Sequence, residues 1–440
     1  MVITKEDSSF RDTSGEVIIE DGVYLRRVNP SYYDDYKHFI KSGLYAELDN
    51  RRLLIPHTEK QDGEDFILVP EQVKFISYPY EWCFSMLKEA ALNTLEINCI
   101  ALDYGMMLKD ASAFNMQYHK GKMTLIDTLS FAKYDGGQPW VAYRQFIEHF
   151  LVPLTLMKYR DTSLSKLSEV FIDGIPVELA VKLLPMRLRL KPSLLAHIYA
   201  QGIKINNFGF PKEVKIPRRN LDALLDNLRG LVHSLVYKPG SAWSAYDSCS
   251  YTPKAFKDKH RIVEVMLGNI PVSSDNTLCD IGANTGVFSN LAVEKGYKVA
   301  AIDNDHDCIE YMHDVVKGLG LVADICNPTP AIGWGSVERK GFLDRLDVDT
   351  IMTLALIHHI CIGNNTPLSK VAELFAGHCK HLIIEFVPPD DPKAKILAGN
   401  KTFPPYSQEI FEAEFEKYFN TIAQKGVEDS CRSIYLMFTK

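Results

Sequence analysis

Several common signatures are missing from this sequence of 440 residues. Nine cysteines are present, yet none forms a C-x-x-C pair and their spacing is irregular. Such a set reads as reduced thiols in a cytoplasmic protein and supplies neither a disulfide framework nor a zinc site. No long apolar run occurs. The most apolar stretch, 351–362, contains Thr353, His358 and His359 and is too short to span a bilayer. The first fourteen residues are polar and lack the apolar centre of a secretory signal. There is no basic tract either. Lysine and arginine number 49 against 56 acidic residues, a net charge of −7, which argues against a nucleic-acid partner and a membrane surface. Internal repeats and low-complexity tracts are absent.

What remains is the composition of a globular protein, 46% hydrophobic and 24% charged, long enough for two or three domains. Three regions separate. Residues 1–215 mix short strand-like pieces (16–20, 122–127) with apolar helical patterns at 82–102 and 143–157, an α+β domain. Residues 216–255 hold a helix at 220–236 and then a polar stretch, a helical connector. From 256 to 440 strands and helices alternate regularly. Strands are expected at 278–281, 298–303, 321–325, 350–356 and 381–387, with helices at 286–295, 307–317, 368–377 and 409–417. That alternation makes an α/β domain with a parallel sheet covered on both faces. Two last strands, 420–423 and 433–438, are too closely connected for a crossover helix and are expected as an antiparallel hairpin at the sheet edge.

The first of these strands runs into Asp280-Ile-Gly-Ala-Asn-Thr-Gly286. A glycine turn between strand and helix lets backbone approach a ligand, and the helix behind it aims free N–H groups at the same space. The dinucleotide pattern G-x-G-x-x-G fails, because Asn284 and Val287 stand where its second and third glycines belong. Asp280 would also repel a pyrophosphate, whereas it suits a cationic ligand. Asp303 ends the second strand, where a carboxylate accepts from ribose hydroxyls. Asp324 and Ile325 end the third and suit an adenine amino group and ring. Ligands of open parallel sheets collect outside these strand ends.

Asp280, Gly282 and Gly286, followed by Asp303, Asp324 and the strand-four end Leu354-Ala-Leu-Ile-His358-His359, resemble class I S-adenosylmethionine-dependent methyltransferases over roughly the last 185 residues. The resemblance implies a Rossmann-like seven-stranded sheet with a terminal antiparallel hairpin, and S-adenosylmethionine as cofactor. The implied cofactor residues are Asp280, Gly282, Asn284, Gly286, Asp303, Asn304, Asp324, Ile325 and Leu354. Asn284 departs from the commonest form, which has glycine there; asparagine tolerates unusual backbone angles. Methyl transfer asks for alignment and, where the acceptor must lose a proton, a base. His358, His359 and Glu385 are the candidates, the two histidines pointing to opposite sides if the segment is extended. Trp243, Tyr246, Tyr251 and Lys259 precede the first strand and either border the cofactor or pack a hinge.

In the N-terminal region Asp110 is followed five residues later by Asn115, and Asp127 ends a strand. This set resembles the core of protein kinases and aminoglycoside phosphotransferases. The likeness implies Asp110 toward an acceptor hydroxyl and Asn115 and Asp127 holding magnesium, with ATP as a further cofactor if that domain is active. A glycine-rich loop and a strand-three lysine are missing; Arg26, Arg27 and Lys74 are poor substitutes. Together with 108–112, 126–131, 139–146 and 327–334, the chain looks like bacterial methyltransferases related to a nodulation protein family. A small-molecule or glycan acceptor, a saccharide or secondary metabolite, follows from that likeness. The alternatives are a bifunctional kinase-methyltransferase and a non-catalytic cofactor-binding module.

Overall fold

The chain opens with a five-stranded antiparallel sheet built from β1 (Ile3–Lys5), β2 (Gly15–Glu20), β3 (Val23–Val28), β4 (His57–Asp62) and β5 (Asp65–Pro70), in the order β1-β2-β3-β5-β4. Asp21 and Gly22 join β2 to β3 with φ of 50° and 82°. Two consecutive left-handed residues give a turn whose twist matches the hairpin, and Asp-Gly is one of the pairs that adopt it readily. This computed structural model describes residues 3–62, 65–202, 215–240, 251–271 and 276–440.

The helix Phe84–Asp103 follows. It is apolar on most sides because it is buried on most sides, and its two buried asparagines each bond neighbouring backbone. Asn93 donates to the Met123 carbonyl at 2.7 Å, and Asn98 accepts from the Leu108 N–H at 2.9 Å. Two small antiparallel pairs come next, β6 (Met106–Leu108) with β9 (Phe131–Lys133), and β7 (Met116–His119) with β8 (Lys122–Leu125). The β7–β8 turn repeats the first device, with Lys120 and Gly121 at φ of 48° and 85°.

The expected helix 143–157 is continuous but not regular. A wider turn spans Ile147–Leu151 between helical Tyr143–Phe146 and Val152–Tyr159. Pro153 lies just inside the second segment and cannot donate to the preceding turn, which favours this rearrangement. The helix Arg218–Ser234 packs on Phe84–Asp103. By packing, the chain divides into Met1–Lys238 with Ala331–Arg339, and Pro239–Pro330 with Lys340–Lys440.

The second unit holds seven strands: β10 (Thr277–Ile281), β11 (Lys298–Asp303), β12 (Leu319–Val322), β13 (Val348–Thr353), β14 (Cys379–Phe386), β15 (Phe419–Gly426) and β16 (Ser433–Thr439). Their order is β12-β11-β10-β13-β14-β16-β15, the first five parallel. The β15–β16 hairpin closes the sheet, with β16 antiparallel to β14. This is the expected Rossmann-like methyltransferase architecture. Leu278 to Ile281 are all buried, as a central parallel strand covered on both faces requires. The edge strand β15 is mostly exposed and polar, which discourages further pairing.

Three strand ends fall short of expectation, the first being β8, which stops at Leu125 and leaves Asp127 in the loop beyond it. β12 stops at Val322 and leaves Asp324 in the following turn, where its carboxylate accepts from the Cys326 N–H at 2.8 Å. β13 stops at Thr353 because Ala355 takes φ of 55° and turns the chain into a helical bend. No helix among the described residues is long and apolar enough to cross a membrane.

Candidate active site

Between β10 and the helix Val287–Glu294, three residues have positive φ: Gly282 at 77°, Asn284 at 50° and Gly286 at 81°. Asparagine at the middle position visits the left-handed region with little penalty, since its short amide makes local hydrogen bonds. Here the Thr285 N–H donates to its Oδ1 at 2.7 Å. The flanking glycines are fixed by space as well. A Cβ on Gly286 would come within 2.5 Å of Val316 Cγ2, and one on Gly282 within 3.1 Å of Leu356.

The turn is tied to the neighbouring strand by Asp303. Its Oδ2 accepts from the Asn284 N–H at 2.8 Å and its Oδ1 from the Asp305 N–H at 2.9 Å. Burial raises the Asp303 carboxyl above the ordinary range, against the pull of these N–H donors. Asp280 is 2% exposed and accepts from Ser289 Oγ at 2.6 Å. Burial pushes its pKa up to about 7, with Asp303 adding to the rise while Ser289 and Lys259 oppose it. Two carboxyls held above their usual range, side by side and incompletely compensated, favour a cationic ligand.

A cleft of roughly 400 Å³ opens at the carboxyl ends of these strands, within the size range of small-ligand sites. Its wall includes eight of the nine expected cofactor residues; Gly286 alone stands behind it, shaping the turn. Asp280, Asp303 and Asp324 therefore share one space, with Ile325 and Leu354 as apolar surface.

The two histidines part company. After Ala355 the chain is helical rather than extended, with the His359 N–H donating to the Leu356 carbonyl at 2.8 Å. His359 lines the cleft, whereas His358 is fully buried beside it, their rings 4.3 Å apart. Burial, reinforced by His359 and Arg432, drives His358 down to about 3. Burial first and Arg432 second lower His359 from its ordinary value.

Glu385 is also fully buried and lies behind the cleft wall. Lys259 Nζ sits 2.8 Å from its Oε2, and Tyr251 donates to its Oε1 at 2.8 Å. Lys259 and Arg432 both donate to the Tyr251 hydroxyl, and Arg432 Nε pairs with Asp391 at 2.8 Å. Tyr251 and Lys259 reach the cleft through this network; Trp243 and Tyr246 lie outside the described residues. Ser289, Asp391 and Arg432 went unread in the sequence. Ser289 is a polar residue inside an apolar helix, which is a signal of sorts. Asp391 shows as a helix cap before Pro392, accepting from the Lys393 N–H at 2.8 Å. Nothing local announces that Arg432 pairs with it.

In the N-terminal unit, Asp110, Asn115 and Asp127 converge. Asp110 Oδ1 accepts from the Ser112 N–H at 3.0 Å and Gln145 Nε2 at 2.7 Å, and Asn115 also hydrogen-bonds this carboxylate. Burial raises the Asp110 carboxyl, with neighbouring Asp127 the next cause. Asn115 Nδ2 reaches Ser130 Oγ at 3.3 Å, and Ser130 Oγ donates to Asp127 Oδ2 at 2.7 Å.

No family model matches the chain. Nodulation protein NoeA of Rhizobium meliloti (strain 1021) is 30% identical over 453 positions, covering 97% of this chain and 94% of that protein. Among solved structures, magnesium protoporphyrin IX methyltransferase (ChlM) from Synechocystis PCC 6803 with bound SAH is 12% identical, with a TM-score of 0.32 over 45% of this chain and 93% of its own. N-methyltransferase NodS from Bradyrhizobium japonicum WM9 is 8% identical, with a TM-score of 0.32 over 42% and 97% of the two chains. The sequence match along nearly the whole of both proteins makes this chain a member of the family of nodulation protein NoeA, with a C-terminal unit built on the S-adenosylmethionine-dependent methyltransferase fold.

Proposed function

We propose that the C-terminal unit is an S-adenosylmethionine-dependent methyltransferase acting on a small-molecule or glycan acceptor, a saccharide or a secondary metabolite. One observation carries the reading: Asp280 and Asp303, from the ends of β10 and β11, and Asp324, from the turn after neighbouring β12, line a single cleft. The bound cofactor supplies a methyl carbon on a cationic sulfur. Asp280 compensates the cofactor's positive end, Asp303 accepts from the ribose hydroxyls, and Asp324 accepts from the adenine amino group while Ile325 packs on the ring. Gly282 lets the turn approach closely, and Leu354 keeps water from the reacting side.

We assign the acceptor's proton to His359. It faces the cleft and its pKa is lowered from the ordinary histidine value, so at neutral pH the imidazole is available as a base. His358 and Glu385 are enclosed by protein, and Glu385 is committed to Lys259 and Tyr251. Beyond Leu354 the wall is mixed: His359, Asn364 and Lys401 stand among Leu356, Ile360 and Leu397, polar groups that can address a hydroxyl-bearing acceptor.

Calorimetry with S-adenosylmethionine tests the reading. Asp303→Ala is expected to weaken binding about 10- to 100-fold, the worth of charge-assisted hydrogen bonds. Asp303→Asn, which keeps an acceptor for the turn, should fall between. Equal affinity in all three proteins would remove the ribose contact and the reading with it.

A further inference from the structure

The N-terminal acids pose a separate question. Asp110, Asn115 and Asp127 resemble the residues by which phosphotransferases address an acceptor and hold magnesium, and the fold brings them together. Magnesium demands near-ideal octahedral oxygen geometry at about 2.0–2.1 Å, with carboxylate oxygens free to turn toward it. Each carboxylate already carries hydrogen-bond donors, and only its remaining lone pairs can serve a cation. Asp127 Oδ1 accepts from the Leu129 N–H at 3.0 Å and Oδ2 from Ser130 at 2.7 Å. Asp110 Oδ1 already has two donors, Ser112 and Gln145.

A cation is nevertheless present, and it belongs to the protein. Arg26 Nη2 lies 2.9 Å from Asp127 Oδ1 and also pairs with Asp12. Asp127 is 9% exposed and the Arg26 side chain 18%, so the pair is largely shielded from water. Arg26 stands on β3 of the five-stranded sheet, and Asp127 follows β8; their ion pair ties these parts of the unit together. A guanidinium never loses its charge in a protein and is less strongly hydrated than an ammonium, which makes it the fitting permanent partner for a shielded carboxylate. A divalent ion placed on the same carboxylate would meet that fixed positive charge.

We infer that Arg26 is a resident counter-cation standing where a phosphotransferase would hold its metal, so that the N-terminal unit does its work without nucleotide or divalent ion. Asp127 and Asp12 hold Arg26 as an internal clamp. This inference is independent of the methyl-transfer reading, since none of its residues lines the C-terminal cleft.

The test uses the full chain. Manganese alone, followed by electron paramagnetic resonance, should remain free in the presence of the wild-type protein, and calorimetry with Mg·ATP should give no heat of binding. Arg26→Met should lower the melting temperature and acquire about one bound Mn²⁺ per chain, lost again in Arg26→Met/Asp127→Asn. Wild-type binding of Mn²⁺ or Mg·ATP that disappears in Asp127→Asn would overturn the inference. So would a folded Arg26→Met that stays indifferent to Mn²⁺. Should Arg26→Met fail to fold, Arg26→Lys replaces it: a retained charge should keep that variant as silent toward Mn²⁺ as the wild type, and Mn²⁺ uptake would count against the clamp.

Discussion

Lys259 Nζ lies 2.8 Å from Glu385 Oε2, with the lysine 3% exposed and the glutamate fully buried. The two come from the helix Pro253–Gly268 and the end of β14, so their contact fixes that helix against the sheet beside the cleft. Breaking a buried pair by removing one member leaves a desolvated charge behind. Lys259→Met should therefore cost about 3–5 kcal/mol in urea denaturation. Lys259→Met/Glu385→Gln should recover part of it, because the uncompensated carboxylate is gone. A single variant within about 0.5 kcal/mol of wild type would contradict the pairing, since that is the scale of an inconsequential surface change.

Asp280 predicts a pH dependence of cofactor binding. Its pKa in the folded protein is about 7, raised from 3.8 by burial. Below pH 7 the proton must be displaced before the carboxylate can face a cation, so affinity should fall up to tenfold per pH unit between 7 and 5. The sign for stability is opposite. A carboxyl with a raised folded-state pKa takes up protons on folding, so its contribution is fully present below about pH 4 and is lost as pH rises through 7. Calorimetry across pH 5–8.5 checks the first statement, with Asp280→Asn expected to flatten the profile. An unchanged profile in that variant would assign the titration elsewhere.

His359 and His358 should separate cleanly by kinetics. His359→Gln is expected to lower kcat about 10²-fold or more with KM little altered, the loss of a general base. The wild-type rate should decline on the acid side, below the ordinary histidine pKa, and level off toward neutrality. His358→Ala empties a fully buried position and should lower the melting temperature instead. Equal kinetic losses from both substitutions would refute the assignment of the proton to His359.

Much of the C-terminal unit could be read in advance because its determinants are local. Buried strands such as β11 carry unbroken apolar runs, here 299–302, and the glycine turn from Gly282 to Gly286 is written in consecutive residues. The residues expected at the cofactor were read from the strand ends and the turn, and eight of the nine line one cleft. The bend at Ala355 was not legible, since alanine gives no hint of a positive φ. It turned an expected strand end into a helical segment and decided which histidine faces the cleft. The pairing of Arg432 with Asp391, and of Arg26 with Asp127, depends on distant segments meeting in space. Single arginines in a sequence carry no record of their partners.

The most direct measurement is a crystal structure of the full chain grown with S-adenosylhomocysteine. The ribose hydroxyls should lie within hydrogen-bond reach of Asp303, the adenine beside Asp324 and Ile325, and the sulfur should face the side of the cleft that holds His359. A nucleoside bound elsewhere, or side chains filling the space between Asp280 and Asp324, would contradict the assignment.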